Sequence, residues 1–431
     1  MKAVIMAGGK GTRIAAVRSD IPKPMIQILG KPILEYQIEC LRKYGITDIV
    51  LVTGHLGQSI VDYFGDGKRF GVNISYFNEF EPLGTAGALY KIENLSDDFL
   101  LLCGDTIFDI DFNRFIQFHE EHNAWASLVT HPNSHPYDSS IIVTETLPAS
   151  YGGIPIESHK VIQWLNKEDE RKWYKNRVNA GIEIISPKLL NAAKDNLITS
   201  TGFIGKVDLD RDLLKPLVKT GKIFAYDSSE YIKDMGTPDR LEQVEKDMLS
   251  GIIAKKNLSN RQKAVFLDRD GTLNKSVGFL TRIEQMELLP SVCEAIRIIN
   301  NSGYLAILVT NQPQISRGEL DFEELYNIHN KLETLLGESG AYLDALYFCP
   351  HHTDKGFEGE RIEYKLNCEC RKPNAGMLMA AAKDFNIDLS TSYMIGDSDI
   401  DIQAGRNAGC KKNIKISENY TLLEAVKELK L

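Results

Sequence analysis

Short apolar runs alternate along the chain with stretches whose apolar residues return every three or four positions, the mark of strands and amphipathic helices taking turns. Lys2 to Met6 reads as a short buried strand. Pro32 opens a helix with Leu34, Ile38 and Leu41 on one face, Gly45 ends it, and Asp48 to Val52 forms the next strand. Phe99 to Cys103 is another strand, and Phe112, Phe115 and Phe118 stripe a helix whose wet face is expected to carry His119-Glu120-Glu121-His122. Leu241, Val244, Met248 and Ile252 keep a last helical stripe before Lys255 to Lys263, which is polar, basic and without period. The rhythm then restarts with strands at Ala264 to Leu267, Leu305 to Val309 and Tyr393 to Ile395. The pattern predicts an α/β protein of two doubly wound domains, residues 1–250 and 263–431, joined by a linker at 251–262.

In open α/β sheets ligands gather at the carboxyl ends of strands, so the residues just past each apolar run are the ones to read for chemistry. The run ending at Leu267 leads into Asp268-Arg269-Asp270-Gly271-Thr272-Leu273-Asn274. Side chains two apart on an extended segment point the same way, so Asp268 and Asp270 repel each other unless a cation or a shared proton intervenes. The first strand runs into Ala7-Gly8-Gly9-Lys10-Gly11-Thr12-Arg13, where glycines let backbone N–H groups approach phosphate oxygens closely. It is neither a Walker loop nor a dinucleotide fingerprint: Gly-Lys-Ser/Thr occurs nowhere, and Ile14 takes the last glycine position. Close by, Pro22 and Pro24 stiffen the backbone around Lys23, which makes that lysine less costly to order against a ligand.

With 431 residues the chain has room for two or three domains, and 43% hydrophobic with 25% charged residues fits a soluble globular protein. A net charge of -9 argues against nucleic acid as a partner, which would require a basic face. Small anions remain, because local groups hold them. No apolar run approaches the roughly 18 residues of a bilayer span, and Met1 to Ala7 lacks a signal-peptide core. No membrane partner and a cytoplasmic location are therefore expected, while a homo-oligomer stays open. Seven cysteines is an odd number, and Cys349-Pro350-His351-His352 with Cys368-Glu369-Cys370 has metal rather than disulfide spacing. Zn2+ filled by Cys349, His351, Cys368 and Cys370 has no open position, so it is expected to be structural, pinning the polar insert Thr353 to Asn367. His352 is the alternative nitrogen ligand.

The ordered set Gly8-Gly9-x-Gly11-Thr12-Arg13, Pro22-Lys23-Pro24, Leu83-Gly84-Thr85-Ala86-Gly87, Gly104-Asp105, Asn179-Ala180-Gly181 and Asp234-Met235-Gly236-Thr237-Pro238 resembles the nucleotidyltransferases that make nucleoside-diphosphate sugars. The resemblance runs over about the first 245 residues and implies a Rossmann-like fold. It also implies roles: Gly84 and Thr85 against the base, Asn179 and Gly181 against the sugar, Asp105 and Asp234 on Mg2+. Lys167 would meet the sugar phosphate, with Asn166 standing where a glutamate is usual. The chemistry asks for such an inventory. When a sugar 1-phosphate attacks a nucleoside triphosphate, each unit-charge repulsion at about 4 Å costs about 4 kcal/mol at an effective dielectric near 20. Arg13, Lys23 and the metal would offset it. Within the family, Asp20 to Met25 and Glu81 to Gly87 look nearest to guanylyltransferases acting on mannose-configured sugar phosphates, especially the heptose branch.

Asp268 to Asn274, Thr310-Asn311-Gln312, Arg371-Lys372-Pro373 and Gly396-Asp397-Ser398-Asp399-Ile400-Asp401 are similar to the four motifs of haloacid dehalogenase superfamily phosphatases. This implies a second Rossmannoid fold and a second Mg2+ site. By the resemblance Asp268 is the nucleophile, Asp270 the acid and base, and Asp268, Asp270 and Asp397 surround the metal, which Asp401 supports. Thr310, Asn311, Arg371 and Lys372 would hold the phosphate. The zinc loop is similar to those of heptose bisphosphate and histidinol phosphate phosphatases. One half that leaves a sugar 1-phosphate and one that consumes it make consecutive steps. The expectation is a bifunctional enzyme that takes the 7-phosphate from D-glycero-D-manno-heptose 1,7-bisphosphate and then transfers GMP from GTP. Its alternatives are another sugar 1-phosphate such as mannose 1-phosphate, histidinol phosphate as the phosphatase substrate, or a first half that senses nucleotide sugars without turnover.

Overall fold

The computed structural model describes residues 1–8, 21–148, 152–198 and 205–431. Gly9, Gly11, Thr12 and Arg13 lie outside the described residues. The chain forms two compact units: Met1–Thr130 with His159–Trp164 and Asn179–Asn257, and His131–Ser158 with Leu165–Val178 and Leu258–Leu431.

In the first unit the strands Lys2–Met6, Asp48–Thr53, Asn73–Asn78 and Phe99–Cys103 are all parallel. Their near-continuous apolar sequences suit strands covered on both faces. The sheet order runs Asn73–Asn78, Asp48–Thr53, Lys2–Met6, Phe99–Cys103, Val178–Ile185, Ala126–His131, Ile223–Asp227, Ile156–Leu165, Ile141–Leu147. Val178–Ile185 runs antiparallel to Phe99–Cys103, so the sheet is mixed where unbroken strand and helix alternation predicts a parallel one. Ile5, Leu51, Leu102 and Ile182 face a common core with Leu34, Ile38 and Leu41 of the helix Ile33–Lys43 and with Phe112 and Phe115 of the helix Phe112–Glu121. Burying each of those phenylalanines contributes about 1.5–3 kcal/mol.

That second helix corrects one expectation. His119 is buried, with Nδ1 2.8 Å from Ser127 Oγ and Nε2 3.3 Å from Asp98 Oδ2, while Glu120 and Glu121 take the wet face. His119 falls one residue after Phe118 and four after Phe115, which carries it toward the apolar side. The aperiodic stretch after Lys255 is also less free than its composition predicts. Asn257 is buried and its Nδ2 donates to Asp109 Oδ1 at 2.7 Å. Gln262 pairs its backbone with both Asn386 O and Asp388 N–H.

The second unit has a fully parallel sheet in the order Ala345–Cys349, Leu305–Asn311, Ala264–Leu267, Tyr393–Gly396, Lys412–Lys415. Val265 and Leu267 enter one core and Ala264 and Phe266 another, as the two-residue side-chain period of a strand dictates when helices cover both faces. This is the doubly wound arrangement expected. The insert Thr353 to Asn367 carries only the short turn Ile362–Tyr364.

The stretches His131–Ser158 and Leu165–Val178 fold into this second unit although they precede Asn179 in the chain. They are held by buried polar contacts to the helix Phe322–Glu338: Tyr174 N–H donates to Thr334 Oγ1 at 3.0 Å, and Asn176 N–H to Glu333 Oε2 at 3.0 Å. Arg177 Nη1 lies 3.4 Å from Glu333 Oε2, and its Nη2 donates to Asp344 O at 3.1 Å. Removing one partner of a buried pair strands the other charge, which costs about 3–5 kcal/mol. Arg177→Met is therefore expected to lower the urea midpoint of the second unit by a corresponding amount, read by far-UV circular dichroism and phosphatase activity. A midpoint matching wild type would show that Glu333 does not depend on Arg177.

Candidate active sites and metal centre

Parallel register aligns the strand ends of the second unit. Leu267 pairs with Leu308 on one side and Ile395 on the other, so Asp268, Thr310 and Asp397 emerge on one edge. Gly271 has φ +79°, and a Cβ there would stand 2.1 Å from Asp397 Oδ2; glycine lets the turn after Asp270 lie against that carboxylate. Asp268, Asp397 and Asp401 each offer an oxygen within 4.8 Å of the others. Lys372 is buried among them, its Nζ 2.5 Å from Asp268 Oδ1, 2.6 Å from Asp401 Oδ1 and 2.8 Å from Val309 O. Burial alone would lower the Lys372 ammonium, but the two carboxylates outweigh it and raise its proton affinity. Burial pushes the Asp268 carboxyl up, against the pull of Lys372. Asp397 is also raised, by burial first and by Asp401 next.

Three details fix these groups. Asn311 Nδ2 donates to Lys372 O and Lys372 N–H donates back to Asn311 Oδ1, both at 3.0 Å, so Asn311 locks the backbone that carries the lysine. Asp401 Oδ2 accepts from Ser398 N–H at 3.1 Å and from Ser398 Oγ at 2.5 Å, closing a capping box. Asp270 accepts from Arg269 Nη2 at 2.9 and 3.1 Å, Asn274 Nδ2 at 3.0 Å and Gln312 Nε2 at 3.2 Å. Gln312 Nε2 also donates to Thr310 Oγ1 at 2.8 Å. Arg269 is itself fully buried and donates through Nη1 to His329 Nε2 at 3.0 Å, which requires that nitrogen to carry a lone pair. Sequence reasoning missed the roles of Arg269, Asn274, Gln312 and His329. The first three lie inside quoted motifs, but nothing in the sequence links His329 to them.

In the first unit, Asp234 pairs in register with Thr106 and Met235 N–H donates to Asp105 O at 2.9 Å, which brings Asp234 beside Asp105. Lys23 Nζ pairs with Asp105 Oδ2. Arg240 Nη1 lies 2.6 and 2.5 Å from the two Asp234 oxygens. Burial opposes ionisation of Asp234, but Arg240 and then Lys23 outweigh it and hold its carboxyl below the usual range. Arg240 was missed too; its signal is a place two residues after Pro238, in the first turn of the helix Pro238–Ser250.

Gly84 has φ +84° and bridges Val207, where a Cβ would meet Val207 O at 2.2 Å. Thr85 Oγ1 accepts from Leu209 N–H at 2.7 Å. Gly8 passes Gly54 and Glu79 so closely that a Cβ would meet Glu79 Oε2 at 3.2 Å. Gly181 (φ +69°) turns against Cys103, beside Asp105, and its N–H donates to Asn179 Oδ1 at 3.3 Å. Asn179 Nδ2 in turn donates to Glu183 Oε1 at 3.3 Å. Burial, with Asp210 nearby, pushes the Glu183 carboxyl up to about 8. Lys167 is exposed, 4.0 Å from Glu168, and falls in the stretch Leu165–Val178 of the second unit.

Cys349 Sγ lies 3.5 Å from Cys368 Sγ and 3.0 Å from Cys370 Sγ, and the latter two are 3.2 Å apart. His351 Nδ1 lies 3.3 Å from Cys370 Sγ and 3.6 Å from Cys349 Sγ. All seven cysteines are free thiols. Three sulfurs and one imidazole nitrogen converging this closely suit a tetrahedral ion, whose zinc–sulfur bonds of about 2.3 Å set such spacings. His352 is turned away, with Nδ1 accepting from Asp354 N–H at 3.0 Å. Arg371 Nη1 donates to His351 O at 3.0 Å, tying the loop to the segment that carries Lys372. No helix among the described residues is long and apolar enough to cross a membrane.

Residues 2–251 match the nucleotidyl transferase family model and residues 369–414 a HAD-hydrolase-like model. The chain belongs to the nucleotidyl transferase family, with a phosphatase of the haloacid dehalogenase type fused behind it. The second half is 40% identical over 164 residues to a D-glycero-beta-D-manno-heptose-1,7-bisphosphate 7-phosphatase of Pasteurella multocida, covering 38% of this chain and 86% of that one. A D-glycero-D-manno-heptose-1,7-bisphosphate 7-phosphatase of Thermosynechococcus vestitus is 45% identical over 148 residues, 34% of this chain and 75% of its own. For the first half, a UTP--glucose-1-phosphate uridylyltransferase of Synechocystis is 34% identical over 238 residues; the match takes 52% of this chain and only 57% of that relative.

Two outcomes test the electrostatics. Lys372→Met leaves Asp268 and Asp401 buried together without their cation, so phosphatase turnover should fall at least a hundredfold; near-normal turnover would show that Lys372 is dispensable. Glu183 is protonated in the folded chain up to about 8 but ionises near 4.5 when unfolded. The folded state then binds the extra proton between those values, so its contribution to stability is present below about 4.5 and lost as pH rises toward 8. Glu183→Gln should remove this slope, gaining on the order of a few kcal/mol at pH 9 relative to pH 4.5. Parallel urea midpoints for both chains across that range would contradict it.

Proposed function

We propose that the chain makes an activated heptose in two steps. The second unit removes the 7-phosphate of D-glycero-D-manno-heptose 1,7-bisphosphate, and the first transfers GMP from GTP to the resulting heptose 1-phosphate with release of pyrophosphate. The observation that carries this is the pairing itself: a half that is 40–45% identical to heptose bisphosphate 7-phosphatases is fused to a nucleotidyl transferase. The product of the former, a sugar 1-phosphate, belongs to the substrate class of the latter.

In the first step Asp268 forms the new bond to phosphorus while Asp270, held by Arg269, Asn274 and Gln312, gives its proton to the departing sugar oxygen. Asp270 then takes a proton from water, whose oxygen displaces Asp268 and leaves inorganic phosphate. Lys372 opposes the protonation that burial favours at Asp268 and offsets the approach of carboxylate to phosphate. Thr310 and Asn311 border the phosphate, and Arg371 extends the cationic rim. Asp268 and Asp397, and in the other unit Asp105 and Asp234, would hold Mg2+, which would supply charge neutralisation on the transferring phosphoryl oxygens. Cys349, His351, Cys368 and Cys370 would hold a Zn2+ with no open position, in a structural role. In the second step Lys23 and Arg13 would offset the charge of the triphosphate, Gly8, Gly9, Gly11 and Thr12 would bind its oxygens, and Gly84 and Thr85 would border the base. Asn179 and Gly181 orient the sugar phosphate. The enzyme works on small phosphorylated molecules in the cytoplasm.

Similarity to the Synechocystis uridylyltransferase favours a second reading of the first unit alone, with UTP and glucose 1-phosphate. The purified chain fed heptose bisphosphate and each nucleoside triphosphate decides between them. GTP-dependent release of pyrophosphate with formation of a nucleotide heptose is expected. Phosphate release with no nucleotide sugar would reject the joined steps, and faster pyrophosphate release with UTP and glucose 1-phosphate would select the second reading. Asp268→Asn and Asp105→Asn should each abolish one activity and spare the other; loss of both from one change would contradict independent sites.

A further inference from the structure

His351 has two ring nitrogens with different tasks. Nδ1 faces the thiols of Cys349 and Cys370, while Nε2 lies 2.8 Å from the backbone oxygen of Gly152. A carbonyl only accepts, so Nε2 carries the proton and Nδ1 is left with its lone pair aimed at the cluster. Gly152 belongs to the stretch His131–Ser158 that folds into the second unit, yet it lies inside the span 2–251 matched by the nucleotidyl transferase family. Its fit is tight. Gly152 has φ +66°, and a Cβ there would stand 2.6 Å from Glu363 O and 2.9 Å from Leu366 Cδ2, both in the insert the cluster would pin. Only a residue without a side chain lets this carbonyl reach the imidazole.

We propose that Gly152 is a positioning residue for the metal centre: its carbonyl orients His351 and fixes the tautomer that binds zinc, so the phosphatase metal site is completed by a segment of the nucleotidyl transferase sequence. This rests on reading the cluster as a zinc centre. Outer partners of metal-bound histidines matter because they hold the ring in place and raise its basicity. The linkage runs both ways: whatever zinc gains from the docked Gly152 segment, the segment gains in docking from zinc.

The test uses the full chain, stripped of metal under reducing conditions and retitrated with Zn2+ against a chromophoric chelator. Gly152→Ala should bind zinc about 10- to 100-fold more weakly. Gly278→Ala, at an exposed glycine of similar φ (+78°) with nothing within 4 Å, should bind like wild type and controls for backbone strain alone. Hydrogen exchange on the wild-type chain gives a reading that needs no variant: amides from Gly153 to Ser158 should exchange faster once zinc is removed. Equal zinc affinity of Gly152→Ala and wild type, or exchange in that segment indifferent to zinc, overturns the proposal. A wild-type chain that takes up no zinc overturns the reading of the cluster itself, and the proposal with it.

Discussion

The buried ammonium of Lys372 is the contact on which the phosphatase half depends. It sits between Asp268 and Asp401 at the floor of the strand ends, where two carboxylates out of water would otherwise drive each other to bind protons. In the proposed mechanism the attacking carboxylate must be ionised, and it must still approach a phosphate dianion. The cation works against protonation of Asp268, and it is held from outside the pair: Asn311 grips its backbone and Val309 O takes another of its protons. The lysine has no freedom to leave, so its charge is available without reorganisation when the reaction begins.

The other half meets the same like-charge problem with separate partners. Asp105 has Lys23 and Asp234 has Arg240, each partly open to solvent. Such pairs are weaker than a buried one and easier to exchange. In the proposed reaction that would suit carboxylates exchanging a side-chain cation for a metal, while Asp268 has a buried lysine that is not open to such exchange.

Much of this was legible in the sequence because strand ends announce themselves: an apolar run stopping at Asp268, Thr310 or Gly396 shows both the strand and its working end. The alternation of Ala264, Val265, Phe266 and Leu267 between two cores likewise comes from period two. The residues that escaped were of another kind. Arg269 sits between two motif aspartates and reads as spacing, yet it is fully buried and braces Asp270. The charged neighbours of His119 point to a wet face, but the helix turns it toward Ser127. Neither contact has a signature along the chain, since each depends on a partner that only folding brings near.

The same distinction explains why family similarity and compactness divide the molecule differently. Similarity tracks descent along the chain and extends to residue 251 without a break. Compactness tracks burial, and Arg177 is buried against Glu333 and Asp344 of the second unit. A guanidinium at the surface of a stand-alone transferase would be hydrated; here it has exchanged water for a carboxylate and a carbonyl, and that exchange holds only while both stretches of chain are present. Phe322–Glu338 is the element that makes it consequential. His329 and Glu333 are one turn apart on that helix, the first accepting from the arginine that orients Asp270 and the second from the anchored stretch. The anchoring of the 165–178 stretch and the bracing of Asp270 through Arg269 therefore share one element of the second unit, the helix Phe322–Glu338.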